Sequence, residues 1–538
     1  MKKNNHYGYY EVPQAADLKE LIDYAASAYA DKTAFVFARD GKDVAVKYSQ
    51  LKTDIDSLGT YFYSIGLRNE KIVVYGENSY EWILTYFAAV NGSNVIVPVD
   101  KELGGTELIN LVNDSGAKAV VYAPSKRNAV DNPRKELSAV EHYICTDSIR
   151  ECIDEGAALI QAGNTEFIDN KIDREKMCSL IYTSGTTGNP KGVMLSHKNL
   201  ASDMVNSSAN LFVPQDTVVV LPLNHTFGFM AGVLCQIHRG YAVYINHSLR
   251  NILRDIKVMK PHHISVVPLF VENFHKNIWR NAEKQGKADM LRKLIRLSNG
   301  LRRIGIDIRR LLFKSVIDAF GGNLELIISG GAPIDNRYMK GFEDIGITVI
   351  NGYGITECSP IVATNRNHDY RFGSVGLPVP GTEVKVDSPN SDGEGELLVK
   401  GDIVMLGYYN NKEATDAAFD GEWFRTGDIG RVDEDGFVYI TGRQKNIIIL
   451  SNGKNVYPEE LEAVVQNVPG VDECLVYGKN DMLCVEVYTE TPEEKDRIKK
   501  DIQALNDTLP SQKHIRNISF RDTEFEKTST KKIKRFLY

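Results

Sequence analysis

The stretch Thr183-Ser-Gly-Thr-Thr-Gly-Asn-Pro-Lys191-Gly192 follows directly on the apolar run CSLIY, residues 178–182, and its reading decides the fold. Gly185 and Gly188 let successive backbone N–H groups converge on an anion. The hydroxyls of Thr183, Ser184, Thr186 and Thr187 add donors, and Lys191 adds a positive charge. That is a polyphosphate cradle at the end of a buried strand. It is not a Walker A loop, because the spacing G-x-x-x-x-G-K-[ST] cannot be laid over it, so P-loop folds are disfavoured. The plain alternative is a flexible Gly/Thr-rich surface turn.

Outward from the cradle, short β-branched runs recur between amphipathic stretches: KIVVYG at 71–76, AKAVVYA at 117–123, HHISVVP at 262–268 and LELIISGG at 324–331. Asn78 and Ser79 stand ahead of YEWILTYFAAV as candidate helix N-caps, so strand, loop and helix succeed one another within some twenty residues, as crossover units require. The expectation is a layered α/β protein with several mainly parallel strands. From about residue 371 the texture changes to glycine-punctuated strands without helices between them, in RFGSVGLPVPGTEVKV, GEGELLVKG and GFVYITGR. A compact α+β unit is expected over 446–538, with a helix at 458–466, a strand pair in CLVYGKNDMLCVEVY, a helix at 493–505 and a strand at 515–520. The organisation read from this is an N-terminal domain, 1–442, with a β-rich subdomain over 371–442, then a junction at 443–445 and a small C-terminal domain, 446–538.

A chain of 538 residues has room for three to four structural units at about 150 residues each. With 43% hydrophobic and 25% charged residues it has the material for a sizeable core and lacks the bias of a disordered chain. A net charge of −7 opposes general nucleic-acid binding, which needs concentrated positive charge against phosphates. Seven scattered cysteines with no C-x-x-C pair point to reduced, mostly buried thiols rather than zinc ligands. The N-terminal MKKNNHYGYYEVPQAADLKE lacks the apolar stretch of a secretory signal. The most apolar candidate span, Trp82 to Val99, is broken by Asn91, Gly92, Ser93 and Asn94. A cytoplasmic protein, at most peripheral on a membrane, is expected.

Five further stretches accompany the cradle in order: SGGAP at 329–333, NGYGITE at 351–357, FRTGD at 424–428, TGRQKNIIILSNGKNVYPEELE at 441–462 and KTSTKKIKR at 527–535. Together they resemble the signatures of the adenylate-forming superfamily, which comprises acyl-CoA synthetases, luciferases and carrier-loading adenylation domains. The resemblance covers nearly the whole chain. It implies a two-step reaction using ATP, Mg²⁺ and coenzyme A, in which a carboxylate displaces pyrophosphate to form an acyl-adenylate and a thiol then takes the acyl group.

The chemistry needs such residues, because a carboxylate is a poor electrophile and an α-phosphate repels an incoming anion, so charge must be neutralised and the attack aligned. By resemblance, Tyr353 stacks on adenine within Asn351-Gly352-Tyr353-Gly354. Thr356 binds the α-phosphate and Glu357 holds Mg²⁺. Gly330 and Gly331, followed by Ala332 and Pro333, let the flat base lie against backbone. Asp428 accepts the ribose hydroxyls and Arg443 reaches the same ribose. Lys532 corresponds to the mobile catalytic cation. The usual family pattern there, P-K-T-x-S-G-K-I, is altered, with Glu526 in place of proline and Lys531 in place of glycine. The family turns its small domain between half-reactions about the residue two after the motif arginine, here Lys445, which brings Gly453 toward the pantetheine tunnel. A static binding protein is the competing picture, in which Lys445→Pro would leave thiol transfer untouched.

The segment LPLNHTFGFMAG, 221–232, contains no acidic residue, whereas amino-acid-activating relatives place an aspartate there for the substrate ammonium; a fatty acid fits. His225 resembles the family's gate beside the acyl group, or is a core histidine. Between Lys276 and Ser315 stand 12 Lys and Arg against three acidic residues, with Leu291, Leu294, Ile295 and Leu297 interleaved with Arg292, Lys293 and Arg296. This basic amphipathic face meets an anionic membrane or an acidic acyl carrier protein, or simply covers the core. The expected activity is that of a long-chain acyl-CoA ligase. The alternatives are a fatty acyl-AMP or acyl-[acyl-carrier-protein] ligase and, from another class, a nucleotide-binding regulatory protein without turnover.

Overall fold

The computed structural model describes residues 6–183, 190–246, 252–450, 455–479, 482–527 and 533–538. The chain divides into two compact units. The first comprises Met1–Tyr370, Gly376–Thr382 and Lys400–Ala417, the second Arg371–Val375, Glu383–Val399 and Ala418–Tyr538.

The first unit holds the layered α/β architecture. In its nine-stranded sheet the strands Thr33–Arg39, Val243–Ile245, Thr217–Val219, His263–Val266, Leu326–Ser329 and Thr348–Gly354 run parallel, with antiparallel strands at both edges. In the seven-stranded sheet His142–Cys145, Ala119–Tyr122, Lys71–Tyr75, Val95–Val99 and Met177–Thr183 are parallel. Val95–Val99 and Ala119–Tyr122 are buried throughout, which is why they read as continuous apolar runs: helices cover both faces of such sheets.

The helix Tyr80–Asn91 buries all its residues except Glu81, so it is apolar all round rather than striped. Ser79 caps it by accepting the Trp82 N–H at 3.1 Å. Asn78, the other expected cap, does something else. Its amide donates to Leu221 O at 2.9 Å and accepts from Leu223 N at 3.0 Å, fastening the start of the segment 221–232. Arg366, fully buried, donates to the carbonyls of Tyr7, Gly8 and Asn210 and lies 3.8 Å from the Tyr7 ring centroid, which tethers the N-terminal segment to the core.

Three buried histidines, His197, His238 and His263, weigh on the acid stability of the first unit, and burial holds His263 down to about 3. His197 accepts from Leu18 N at 3.3 Å and contacts Val90 O at 3.2 Å, and His238 contacts Pro13 O at 2.8 Å. Burial holds each down to about 4, and the Arg239 charge adds to the effect at His238. The folded protein binds fewer protons than the unfolded chain between the ordinary histidine value and about 4, so stability present above that window is lost as pH falls through it. Asp203, whose carboxyl burial pushes up, gains stability over the same window, so the histidine share is read as a difference: between pH ~6.5 and ~4 the parent should lose about 3 kcal/mol more than His238→Gln in thermal unfolding. An equal change in the two would refute it.

The second unit contains an antiparallel sheet of Thr382–Asp387, Gly395–Gly401, Trp423–Val432, Phe419–Asp420 and Val438–Arg443. It also contains a three-stranded sheet in which Glu473–Lys479 and Met482–Tyr488 are antiparallel and Ile515–Arg521 runs parallel to the latter after the helix Lys495–Leu505. The stretch 371–442 differs from expectation in two ways. Its strands Leu377–Pro378 and Gly407–Tyr408 pair with strands of the first unit's sheets, and a short helix, Lys412–Ala417, lies within it. That helix forms because the Asn411 side chain accepts the Ala414 N–H at 2.9 Å. All seven cysteines are free and buried. Among the described residues no helix is long and apolar enough to cross a membrane.

Candidate active site

The strand Met177–Thr183 and the strand Lys191–Ser196 are antiparallel neighbours, with Thr183 opposite Lys191. The strands on either side of the cradle therefore pair with each other, whereas a P-loop runs from a strand into a helix. Ser184, Gly185, Thr186, Thr187 and Gly188 lie outside the described residues. At the end of the strand pair the Thr183 hydroxyl donates to Lys191 O at 3.4 Å.

Lys191 Nζ lies 4.8 Å from the ring centroid of Tyr408, and the Tyr408 hydroxyl donates to Glu357 Oε1 at 2.9 Å. The cation of the cradle and the carboxylate of NGYGITE are thus joined through one aromatic ring. Sequence reading missed Tyr408. It sits in a two-residue strand that pairs with Val193 and Met194, too short to show a period. The Glu357 carbonyl accepts Met405 N at 2.8 Å, and Thr356 Oγ1 stands 3.4 Å from Thr226 Oγ1. Thr356 and the segment 221–232 are therefore neighbours.

Of the remaining motifs of this unit, SGGAP carries the end of the strand Leu326–Ser329 into an exposed bend and NGYG ends a strand. Gly331 has φ of +84°, a conformation that favours glycine, and a Cβ on Gly330 would stand 2.9 Å from the Phe227 ring. Ala332 and Pro333 are exposed. Asn351, Gly352, Tyr353 and Gly354 end the strand Thr348–Gly354, where a Cβ on Gly354 would meet Pro360 O at 2.1 Å. Asn351 Oδ1 accepts the Asn365 amide at 2.7 Å, one residue before the buried Arg366.

His225 precedes the helix Thr226–Phe229, and its Nε2 is 3.9 Å from Asp100 Oδ2. The next residue, Thr226, joins Tyr86, Pro98, Ile181, Leu223, Phe229 and Met230 in lining a cavity of about 10 Å³. That is room for about one water molecule.

For Mg²⁺ the donor set is what counts. Among the described residues no group of three or more His, Cys, Asp and Glu side chains could form an all-protein cage. A lone carboxylate such as Glu357, with capacity beyond the bond from Tyr408, suits a cation that keeps waters and is held mainly by phosphates.

In the second unit Asp428 is buried and its Oδ1 lies 2.6 Å from Arg443 Nε; the two residues face each other across paired strands. Thr426 Oγ1 accepts the Asp428 N–H at 3.0 Å and so shapes the turn. Burial, with Arg443 adding, holds the Lys445 ammonium below its usual range. Gly453 and Lys532 lie outside the described residues. On either side of Lys532, Lys527 bridges Ile533, Lys534 N donates to Glu526 O at 2.8 Å, and the Arg535 guanidinium pairs with Glu462. Burial pushes Glu462 up to about 7, against the opposing charge of Arg535.

A sequence profile described as AMP-binding enzyme matches residues 22–409, and one for the AMP-binding enzyme C-terminal domain matches residues 445–537. The chain belongs to the AMP-binding enzyme family. Within it, the protein is an AMP-forming acid–CoA ligase working with ATP, Mg²⁺ and coenzyme A. Among its relatives, the long-chain-fatty-acid–CoA ligase FadD15 of Mycobacterium bovis is 30% identical over 479 residues, covering 84% of this chain and 78% of the relative. The long-chain-fatty-acid–CoA ligase of Salmonella typhimurium is 29% identical, covering 86% and 82%. The fold matches that of the anthranilate CoA ligase AuaEII in complex with anthranoyl-AMP at a TM-score of 0.80 and 23% identity, covering 100% of this chain and 98% of that one. It matches the Mycobacterium tuberculosis fatty acyl CoA synthetase at 0.70 and 24%, covering 97% of each chain.

Proposed function

We propose that this AMP-binding enzyme activates a medium- or long-chain fatty acid to its acyl-adenylate, releasing pyrophosphate, and passes the acyl group to the coenzyme A thiol. The observation that carries the acid's identity is the apolar lining beside Thr226: Pro98, Ile181, Leu223, Phe229 and Met230 offer no charge to an amine or a second carboxylate on the substrate. The names of the two ligases cited above support it. In this reading Lys191 and the threonine loop take the β- and γ-phosphates, Thr356 the α-phosphate, Glu357 the Mg²⁺, and Tyr353 with Gly330 and Gly331 the adenine. His225 borders the reacting carboxylate. Asp428 and Arg443 are assigned to ribose, Lys532 to adenylate formation, and Lys445 to a turn of the C-terminal part that presents Gly453 to the pantetheine arm.

A panel of acids from acetate to palmitate with ATP and coenzyme A, read as AMP formation, tests the substrate. A maximum between decanoate and palmitate is expected; a maximum at acetate or benzoate would overturn the fatty-acid reading.

The reading includes peripheral contact with an anionic lipid surface. Leu291, Leu294 and Ile295 turn inward to the core, so these positions of the helix Ala288–Arg302 cover it as any surface helix does. Leu297, Ile304 and Leu311 instead point outward, 54%, 71% and 75% exposed, within a segment in which cations outnumber acids by 12 to three. Sedimentation with phosphatidylglycerol vesicles should be lost at high salt and in Ile304→Glu/Leu311→Glu. Salt-insensitive or absent binding would remove the membrane, and salt-sensitive capture by acyl carrier protein alone would replace it.

A further inference from the structure

The segment that carries Thr356 and Glu357 is short, turns sharply and is not part of either sheet's parallel core, so something must hold it. The helix His197–Asn210 does so with two side chains four residues apart, hence on one face. The Asn199 amide donates twice, to Asp402 O and Val404 O, both at 2.8 Å. Asp203 accepts the Ile361 N–H at 3.0 Å and the Ser207 hydroxyl at 3.1 Å. Each grips one side of Glu357. The stretch held by Asn199 continues to Met405, whose N–H meets the Glu357 carbonyl, and to Tyr408, whose hydroxyl meets the Glu357 carboxylate. Ile361 lies just past the turn, where the Ser359 hydroxyl ties across to Ile403 O at 2.7 Å. Both side chains are buried, and the hydrogen bonds above run to Asp402, Val404, Ile361 and Ser207 rather than to Thr356 or Glu357.

We propose that Asn199 and Asp203 are positioning residues that set the placement of the Glu357 carboxylate, and with it the Mg²⁺ dependence of ATP binding. The inference rests on Glu357 being the metal-holding carboxylate. The two residues act through backbone on either side of it, so losing either lets the turn shift without emptying the site. Burial pushes the Asp203 carboxyl up to about 8, so near neutral pH it is largely protonated; an asparagine there keeps an acceptor for Ile361 and removes the titration.

The test compares ATP affinity with and without Mg²⁺ by calorimetry, alongside pyrophosphate exchange, in five variants of the full chain. Asn199→Asp retains the cap acceptor for Ser196 N but removes both donors, and Asp203→Ala removes both accepted bonds. Each is expected to shrink the Mg²⁺ enhancement of ATP affinity about tenfold, the scale on which outer partners act at metal sites, and to lower exchange with it. Asp203→Asn should restore the enhancement. Met204→Ala, a packing lesion in the same helix, should lower the thermal midpoint and leave the enhancement intact. Wild-type enhancement in Asn199→Asp and Asp203→Ala, or an equal loss in Met204→Ala, would overturn the proposal. Glu357→Gln separates the two layers: if it too leaves the enhancement unchanged, the metal assignment itself fails; if it abolishes the enhancement while Asn199→Asp and Asp203→Ala do not, only the positioning role fails.

Discussion

Glu357→Gln is expected to reduce AMP formation by a factor of about 10² to 10³ with the fold intact, the range seen when one group that stabilises transition-state charge is removed. Glutamine is nearly isosteric and its amide oxygen can still accept the Tyr408 hydroxyl, now 2.9 Å from Glu357 Oε1. The backbone tie from Met405 to the Glu357 carbonyl is independent of the side chain. Only the charge is lost, and with it the means of fixing a cation between triphosphate and protein while a carboxylate approaches the α-phosphorus. Pyrophosphate exchange at saturating ATP and Mg²⁺, with the thermal midpoint as control, measures it. Activity within threefold of the parent would remove Glu357 from the metal role.

Lys532→Ala is expected to lower adenylate formation by at least about a hundredfold, while conversion of a supplied acyl-adenylate to the thioester stays near the parent rate. The first half-reaction brings two anions together and builds negative charge on the transferring phosphoryl group, where a positioned cation has most effect; the second half-reaction develops no such charge. The anchors around Lys532 do not depend on it. Lys527 pairs with Glu473 and Glu524, and Arg535 with Glu462, so the flanking residues are anchored by side chains other than Lys532. Lys531→Ala serves as the control for register and should leave both half-reactions nearly unchanged. Equal loss of both half-reactions in Lys532→Ala, or loss only in Lys531→Ala, would refute the assignment.

Much of the first unit was legible because its strands are buried on both faces. Runs such as Ala119–Tyr122 contain nothing but apolar residues, so strand and core location coincide in one signal, and the helix Tyr80–Asn91 was marked by its apolar run behind a capping serine. The motif residues were legible because glycines at close approaches have few substitutes: at Gly354 a Cβ would collide with Pro360 O. Other features had no such signature. Tyr408 reaches Glu357 from a strand of two residues, and Asn78 reads as a cap although Ser79 does the capping. The basic segment read as one amphipathic face, yet Leu294 and Leu297, three apart, part company between core and solvent.

The order of glycine, hydroxyl and charged residues along the chain by itself carried the resemblance that identified the family and its AMP-forming chemistry, because anion binding and charge neutralisation draw on such groups in local clusters. Tertiary structure alone decided which distant groups support them: Lys191 with Tyr408 and Glu357, Thr226 with Thr356, and Asn199 and Asp203 beneath the Glu357 turn. Those pairings join residues from 51 to more than 200 positions apart through hydrogen bonds and one ring contact, as Asn199 with Val404 across 205 positions shows. No local pattern encodes such bonds; they exist only once the sheets have brought their strand ends together.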